Sequence, residues 1–345
     1  MMARYGTPGQ AAYYLKSRKQ SADPYEVEST LFNRAFARTR SELSDLGRVQ
    51  TLNRDHLPNF IFGPEDIVVV LGQDGLVANT LKYTDGQPVI GVNPDPTQYD
   101  GLLLPFLAKD LAVVVPEVFA GKRPVKSVTM AEARLNDGTS LRAVNDLFIG
   151  PRSHTSARYE IRSGDLVEDQ SSSGVIVSTG MGSTGWFRSL LAGATGIVES
   201  YGYSSARIAQ REMPMAAKKG KRRQRDATIE FPKSGIVGAK PEDIMVSGFQ
   251  SRPPAVPPIL PKFDGSFPWD ARHLCFTVRE PFPTKTTGAS IVFGRVTEKQ
   301  PLSITSQMPE NGVIFSDGIE ADFLEFNSGA VARIGLSDRV GKLIV

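Results

Sequence analysis

Three short polar clusters in this 345-residue chain have residue types and spacing suited to chemistry on a phosphate or a ribose. The first is Gly72-Gln73-Asp74-Gly75, which directly follows the unbroken aliphatic run 67–71. It presents a carboxylate where a nucleotide could lie, and its glycines allow positive-φ backbone and close approach to phosphate. The second, Asn145-Asp146, offers two adjacent polar side chains that could read a ribose diol or an adenine edge. The third is Ser178-Thr179-Gly180-Met181-Gly182-Ser183-Thr184-Gly185, whose hydroxyls, amides and following helix N-terminus suit an anion or a ribose. Each also has a purely structural reading, as a strand-to-helix turn, a strand-end turn and a helix-capping loop. Asp317-Gly318 reads as a hairpin turn.

The elements that must position these clusters alternate in type along the first third of the chain. A strand over 11–16 is expected, then a helix of roughly two dozen residues with Asp23 as N-cap, Pro24 at its first position and Gly47 as its stop. Strands at 48–52, 67–71 and 88–92, with a short helix over 76–82, complete a βα rhythm that predicts a parallel sheet. An aliphatic run such as 67–71 suits a strand covered on both faces, and ligands bind in the crevice outside the carboxyl end of such strands. From about residue 126 the pattern changes to short alternating strands, with 128–135 and 141–149 joined by Asn136-Asp137-Gly138. The expected fold class is therefore α/β plus all-β. A Rossmann-like, parallel-sheet N-terminal domain (1–120) precedes a mostly antiparallel β-sandwich (121–345), interrupted by an insert at about 205–262. Within that insert, the basic run 216–225 reads as a solvated loop and the proline-rich 252–261 as an extended connector.

Composition narrows the class. With 40% hydrophobic and 22% charged residues, the chain is ordinary globular material. A net charge of +3 lacks the concentrated positive field of a nucleic-acid binder, so nucleic acid is disfavoured as a partner. One cysteine, Cys275, excludes an internal disulfide, and His56, His154 and His273 have no zinc-like spacing, so no structural metal is expected. The first ten residues lack a signal pattern, and no apolar stretch nears the roughly 18 residues needed to span a bilayer. A cytoplasmic protein without membrane contact is the expectation. No Gly-Lys-Ser/Thr phosphate loop and no Gly-x-Gly-x-x-Gly after the first strand occur, which disfavours P-loop kinases and standard Rossmann dehydrogenases.

In order and spacing, the three clusters resemble the NAD kinase family. That family pairs a Gly-Gly-Asp-Gly loop on an α/β domain with an Asn-Glu pair and a Thr-Gly-Ser-Thr loop on an antiparallel β domain. Gly72 to Gly75, Asn145-Asp146 and Gly182-Ser183-Thr184 match these, and Ile90-Gly91-Val92-Asn93 matches the family's Gly-Val-Asn strand end. Pro88 to Gly101, where Pro94-Asp95-Pro96 replaces the family's usual continuation after Gly-Val-Asn, and Asn145 to Ile161 look closest to the divergent, mitochondrial-type members. Three positions depart: Gln73 replaces a glycine, Asp146 a glutamate, and Ser173-Gly174 an Asp-Gly. The resemblance implies transfer of the γ-phosphate of ATP, with Mg²⁺, or of polyphosphate, to the adenosine ribose 2′-hydroxyl of NAD(H). It implies Asp74 as catalytic base and Gly72 and Gly75 amides around donor phosphates. Asn145 and Asp146 would hold the dinucleotide, Ser183 and Thr184 its adenosine or phosphates, and Asn93 would shape the crevice near the donor. Homodimers or homotetramers are expected on the same ground. The rivals are a lipid or sugar kinase of the same architecture and a catalytically silent dinucleotide-binding protein.

Overall fold

In a computed structural model, residues 6–211 and 265–345 are described. The runs at 216–225 and 252–261 lie outside them. The chain divides into a large unit, Met1–Ala192 with Gly265–Val345, and a second, Gly193–Asp264. Both sheets and all three polar clusters belong to the large unit.

Helix α1 (Pro8–Ser17) stands where a strand was expected over 11–16. The Thr7 side chain caps it by accepting the Gln10 N–H, Pro8 fits its first turn, and Ala11 and Leu15, four residues apart, bury one face. The apolar run there is too short for its period to separate helix from strand, and the cap decides. Helix α2 (Asp23–Ser44) is present as expected, with Asp23 as its first residue and Ala22 in the cap position. No strand forms at 48–52: Arg48, Val49 and Gln50 are exposed, and the segment pairs with no strand of either sheet.

Strand β1 (Val68–Leu71) leads into helix α3 (Asp74–Leu81) and then β2 (Pro88–Val92), which pairs with β1 in parallel from Val68↔Val89 to Leu71↔Val92. Helix α4 (Leu111–Phe119) follows. The parallel pair is continuous with a larger antiparallel sheet, because β14 (Val331–Ile344) pairs in parallel with β2 at Lys342↔Pro88 and Leu343↔Val89. In this first sheet the order is β1-β2-β14, then β11 (Leu302–Ser306), β6 (Ala157–Ser163) and β7 (Leu166–Ser172). Strand β3 (Val125–Leu135) also pairs with β14, and β4 (Ser140–Ala143) with β3. The second sheet is wholly antiparallel: β10 (Phe293–Val296), β9 (Leu274–Val278), β8 (Val175–Ser178), β5 (Asp146–Pro151), β12 (Gly312–Ser316) and β13 (Ile319–Glu325).

The two sheets pack face to face. Ala131, Tyr159, Ile304 and Ile334 of the first share one buried cluster with Leu147, Ile149, Val177, Phe276 and Ile314 of the second. The expected single strand over 141–149 is in fact two: β4 belongs to the first sheet and β5 to the second, so the chain changes layers at Val144-Asn145. Helix α5 (Trp186–Arg211) follows β8 after a short 3-10 turn over Gly182–Thr184.

Candidate active site

The layer change at residue 144 places Asn145-Asp146 at the start of β5, and a single remote carboxylate holds it there. Asp317, between β12 and β13, accepts the N–H groups of Val144 (3.1 Å), Asn145 (2.6 Å) and Asp146 (3.3 Å), and its own N–H donates to Asp146 O at 2.9 Å. Both Asp317 and Gly318 have positive φ, as a tight hairpin demands. The hairpin expected at Asp317-Gly318 therefore forms, and its acid also shapes the edge of the cavity. Burial raises the Asp317 pKa, while the three N–H groups and the nearby Lys82 ammonium oppose that rise. Lys82 is itself buried just past the end of α3, donating to Ser316 Oγ at 2.7 Å and paired with Asp322.

The serine- and threonine-rich loop is brought against this edge. Thr179 N–H donates to Asn145 O at 2.9 Å, and its hydroxyl donates to Val144 O. A Cβ on Gly182 would sit 2.2 Å from Asn145 O, so only glycine lets the loop approach this closely. On the other side, Asp74 is the first residue of α3 at the end of β1, and its Oδ1 accepts the Leu103 N–H at 2.6 Å. One carboxylate oxygen is thereby fixed, and the group lines a cavity of about 660 Å³.

That cavity gathers Asp74, Gly75, Asn145, Asp146 and Thr184 from three distant parts of the chain. Three other expected site residues do not line it. Gly72 donates its N–H to Val92 O at 3.4 Å. Asn93 spends its side chain on its own loop, accepting from Asp95 N and donating to Tyr99 O, both at 3.0 Å. Ser183 is fully buried, donating to Gly180 O at 2.7 Å and accepting from Phe267 N at 3.2 Å. Positive φ is not what the first loop requires, because neither Gly72 nor Gly75 adopts it. Gln73 is an exposed N-cap in extended conformation, and its side chain donates to Tyr99 OH, which donates to Glu28 of α2. The side chain is thus tied to the 93–103 loop and leaves the helix N-terminus accessible.

Asp146 is electrostatically the least comfortable group in the site. Its Oδ1 is buried without a hydrogen-bond partner among the described residues. Burial, with a smaller push from Asp317, raises its pKa from 3.8 to about 7, and the neighbouring Ser178 hydroxyl offsets this only in part. Such an acid is poised to accept or to donate a hydrogen bond to an entering ligand.

The floor of the cavity was not anticipated. Along β5, Leu147 and Ile149 face the core, so Asp146, Phe148, Gly150 and Arg152 share the outer face. Phe148 stacks on Phe315 of β12 (centroids 6.1 Å apart) and on Trp186 at the start of α5 (5.9 Å). A Cβ on Gly150 or Gly174 would come within 2.7 Å of the Phe148 ring, so these glycines let the ring lie flat on the sheet. Arg279, just past β9, has its guanidinium 5.3 Å from the centre of the Trp186 ring. The alternation of β5 signalled Phe148 and Arg152 in the sequence. The Trp186 and Arg279 contributions had no local signal.

A two-layer sandwich with a parallel β-α-β edge, an acidic strand-to-helix loop and a cavity on its outer sheet defines the fold class. The fold is shared with an NAD kinase from Archaeoglobus fulgidus solved in complex with ATP, at a TM-score of 0.50 and 14% identity over 90% of this chain and 89% of that one. In sequence, the chain is 37% identical over 136 residues to an NAD kinase of Heliobacterium modesticaldum, covering 37% of this chain and 46% of the relative. It is 32% identical over 129 residues to that of Chlorobium phaeobacteroides, covering 35% and 43%. The chain thus spans less than half the length of these curated relatives. No protein-family model matches it. Over these 129–136 residues the chain is similar in sequence to NAD kinases.

Proposed function

We propose that the protein is an NAD kinase-type phosphotransferase, moving the γ-phosphate of ATP or polyphosphate to the adenosine ribose 2′-hydroxyl of NAD(H). The observation that carries this reading is the convergence of Asp74 with Asn145-Asp146 and Thr184 on one cavity. These groups share no local element, and a merely structural turn at each place would not aim all of them at one space. The names of the sequence relatives support the same reading.

In this mechanism Asp74, held through Oδ1 by Leu103 N–H, accepts the 2′-hydroxyl proton as that oxygen bonds to the γ-phosphorus. The bond from the γ-phosphorus to the bridging oxygen breaks, and ADP leaves with the electron pair. Gly75, at the N-terminus of α3 with open space where a side chain would project, lets phosphate oxygens approach the amide. Asn145 and Asp146 hold ribose or base hydrogen-bonding groups, and Thr184 adds a hydroxyl. Gly72, Asn93 and Ser183 act by holding backbone in place. Among the described residues no three acidic, histidine or cysteine side chains converge as a metal site, and Mg²⁺ would enter together with the phosphate donor. Bound in that way it would neutralise charge on the transferred group.

The reading extends to a cytoplasmic, homo-oligomeric enzyme that resembles the mitochondrial-type kinases in Pro88 to Gly101 and Asn145 to Ile161. Among the described residues no helix is long and apolar enough to cross a membrane. The test is incubation with ATP and Mg²⁺ and, in separate reactions, NAD, NADH, diacylglycerol and simple sugars. NADP(H) formation is expected. Phosphorylation of the lipid or a sugar instead, or dinucleotide binding without turnover, would replace this reading with one of its rivals.

A further inference from the structure

Helix α3 lines the cavity with Asp74, Gly75 and Ala78, and the residue just past its far end, Lys82, is tied to the β12–β13 hairpin. That hairpin lines the same cavity with Phe315, Asp317, Gly318 and Glu320. Its ladder is broken there: Phe315 pairs with Phe323 but Ser316 with Ile319, which leaves Glu320, Ala321 and Asp322 without partners on β12. An irregularity of this kind bends a strand and removes the ladder bonds that would otherwise fix its course. The Lys82 ammonium sits at the break, donating to Ser316 Oγ at 2.7 Å on one strand and to Asp322 Oδ2 on the other.

The Lys82 side chain is 1% exposed, and an ammonium so buried is tolerated only when it is paired and hydrogen-bonded. Asp322, at the wetter end of the pair with its side chain 25% exposed, also accepts from Tyr83 OH. Burial and that hydrogen bond push the Tyr83 phenol up, so it stays a donor to Asp322 across the ordinary pH range. Lys82 is moreover a positive charge acting on Asp317, whose oxygens take the N–H groups of Val144, Asn145 and Asp146. An apolar side chain could fill the same space, but its contacts have no preferred direction and would fix neither strand.

We infer that Lys82 is a positioning residue for the phosphoryl transfer: by bridging Ser316 and Asp322 at the break in the hairpin, it sets where Asp317 holds Asn145-Asp146 relative to Asp74. The contacts run from Asp74 along the eight residues of α3, about 12 Å of helix at 1.5 Å per residue, to Lys82. From there they pass to Ser316, to its neighbour Asp317 and to the N–H groups of 144–146. Lys82 does not itself line the cavity, so it acts through these groups and not on substrate. The inference rests on the proposed function, in which the dinucleotide is held at Asn145-Asp146 and gives up its proton to Asp74. A misplacement of about 1 Å between reacting groups costs around 10²-fold in rate, so a small drift of the hairpin is enough to matter.

The test uses the full chain and Lys82→Met, which keeps an unbranched side chain and removes the ammonium. Dinucleotide Kd, read without ATP from the fluorescence of the cavity residues Trp186 and Trp269, should rise about tenfold. With it kcat should fall by roughly 10–10², whereas the KM for ATP, whose phosphates meet the other end of α3, should stay within about twofold. Adding Asn145→Ala to Lys82→Met should weaken dinucleotide binding by less than Asn145→Ala does alone, because both act on one edge. Amide hydrogen exchange should quicken over residues 144–146 and stay unchanged over β11, a pattern that a general loss of stability does not produce. An ATP KM that rises with the dinucleotide Kd, strict additivity with Asn145→Ala, or exchange quickened equally in β11 overturns the proposal and leaves Lys82 an ordinary buried ion pair. If Lys82→Met does not fold, Asp322→Asn, at the more exposed end of the pair, carries the test with the same signs and smaller factors; unchanged Kd and unchanged exchange in it overturn the inference. The two readings fail separately. A wild type that forms no NADP(H) refutes the kinase reading, and the exchange pattern of the variant still decides whether Lys82 holds the 144–146 edge.

Discussion

Replacing Asp146 by asparagine should stabilise the protein at alkaline pH and not at acid pH. The folded protein holds this carboxyl at a pKa of about 7 against an ordinary value of 3.8, chiefly because Oδ1 is buried and unpartnered. A carboxyl whose pKa is raised by folding binds its proton more tightly in the native state. The native state then has no penalty below about pH 4 and accumulates one as pH rises through about 7. A shift of about three units at 1.36 kcal/mol each sets an upper bound of about 4 kcal/mol. Solvent reaching the carboxyl through the open side of the cavity screens part of it, leaving about 2–4 kcal/mol. Asparagine keeps the shape and removes the ionisation. Urea unfolding of wild type and Asp146→Asn at pH 4 and pH 8 reads the effect directly. The two should agree within about 1 kcal/mol at pH 4, and the variant should be more stable by about 2–4 kcal/mol at pH 8. A difference that stays constant between these pH values would refute the claim that an unpaired buried carboxyl costs the fold stability. A group that destabilises its own fold is a reasonable mark of function, so the same variant should also bind the dinucleotide differently.

Asp74→Asn should lower kcat by roughly 10²–10⁴ with cooperative unfolding retained, and wild-type turnover in that variant would remove Asp74 from the chemistry. Asn145→Ala should act mainly on the dinucleotide KM, since it removes binding common to ground and transition states; an unchanged KM would return the residue to a structural role. The neighbouring hydroxyls should separate cleanly: Ser183→Ala removes the buried hydroxyl that bonds Gly180 O and the part-buried Phe267 N–H and should cost about 1–3 kcal/mol in chemical denaturation with little change in KM, whereas Thr184→Ala should raise KM and leave stability within about 0.5 kcal/mol. Gly174→Ala places a Cβ 2.6 Å from the Phe148 ring at a φ of +114°, so a loss of roughly 2–4 kcal/mol and weaker dinucleotide binding are expected, measured by thermal unfolding and fluorescence titration.

The parts of the site that were legible in the sequence are those made by short-range physics. The run 67–71 suits a covered strand, which forms over Val68–Leu71, and a carboxylate placed just after it appears at the strand's carboxyl end, as Asp74 does. Parallel pairing of 67–71 with 88–92 follows from the helix between them. Where a local rule was ambiguous, tertiary contacts decided. The segment 11–16 is helical because Thr7 caps it, and 48–52 pairs with no strand of either sheet.

By itself, then, the sequence determined the αβ edge, the antiparallel remainder, the placement of Asp74 just after β1 and the residue types of the other two clusters. Only the tertiary structure decided which of those residues face one another. The chain changes layers at Val144-Asn145 because a carboxylate about 170 positions later takes up the N–H groups that the break leaves unpaired, and no local pattern at either place encodes that partnership. The same non-local packing sent the side chains of Asn93 and Ser183 into the protein's own backbone bonding, left Asp146 Oδ1 without a hydrogen-bond partner among the described residues, and brought Phe148, Trp186 and Arg279 to the same cavity from three separate elements.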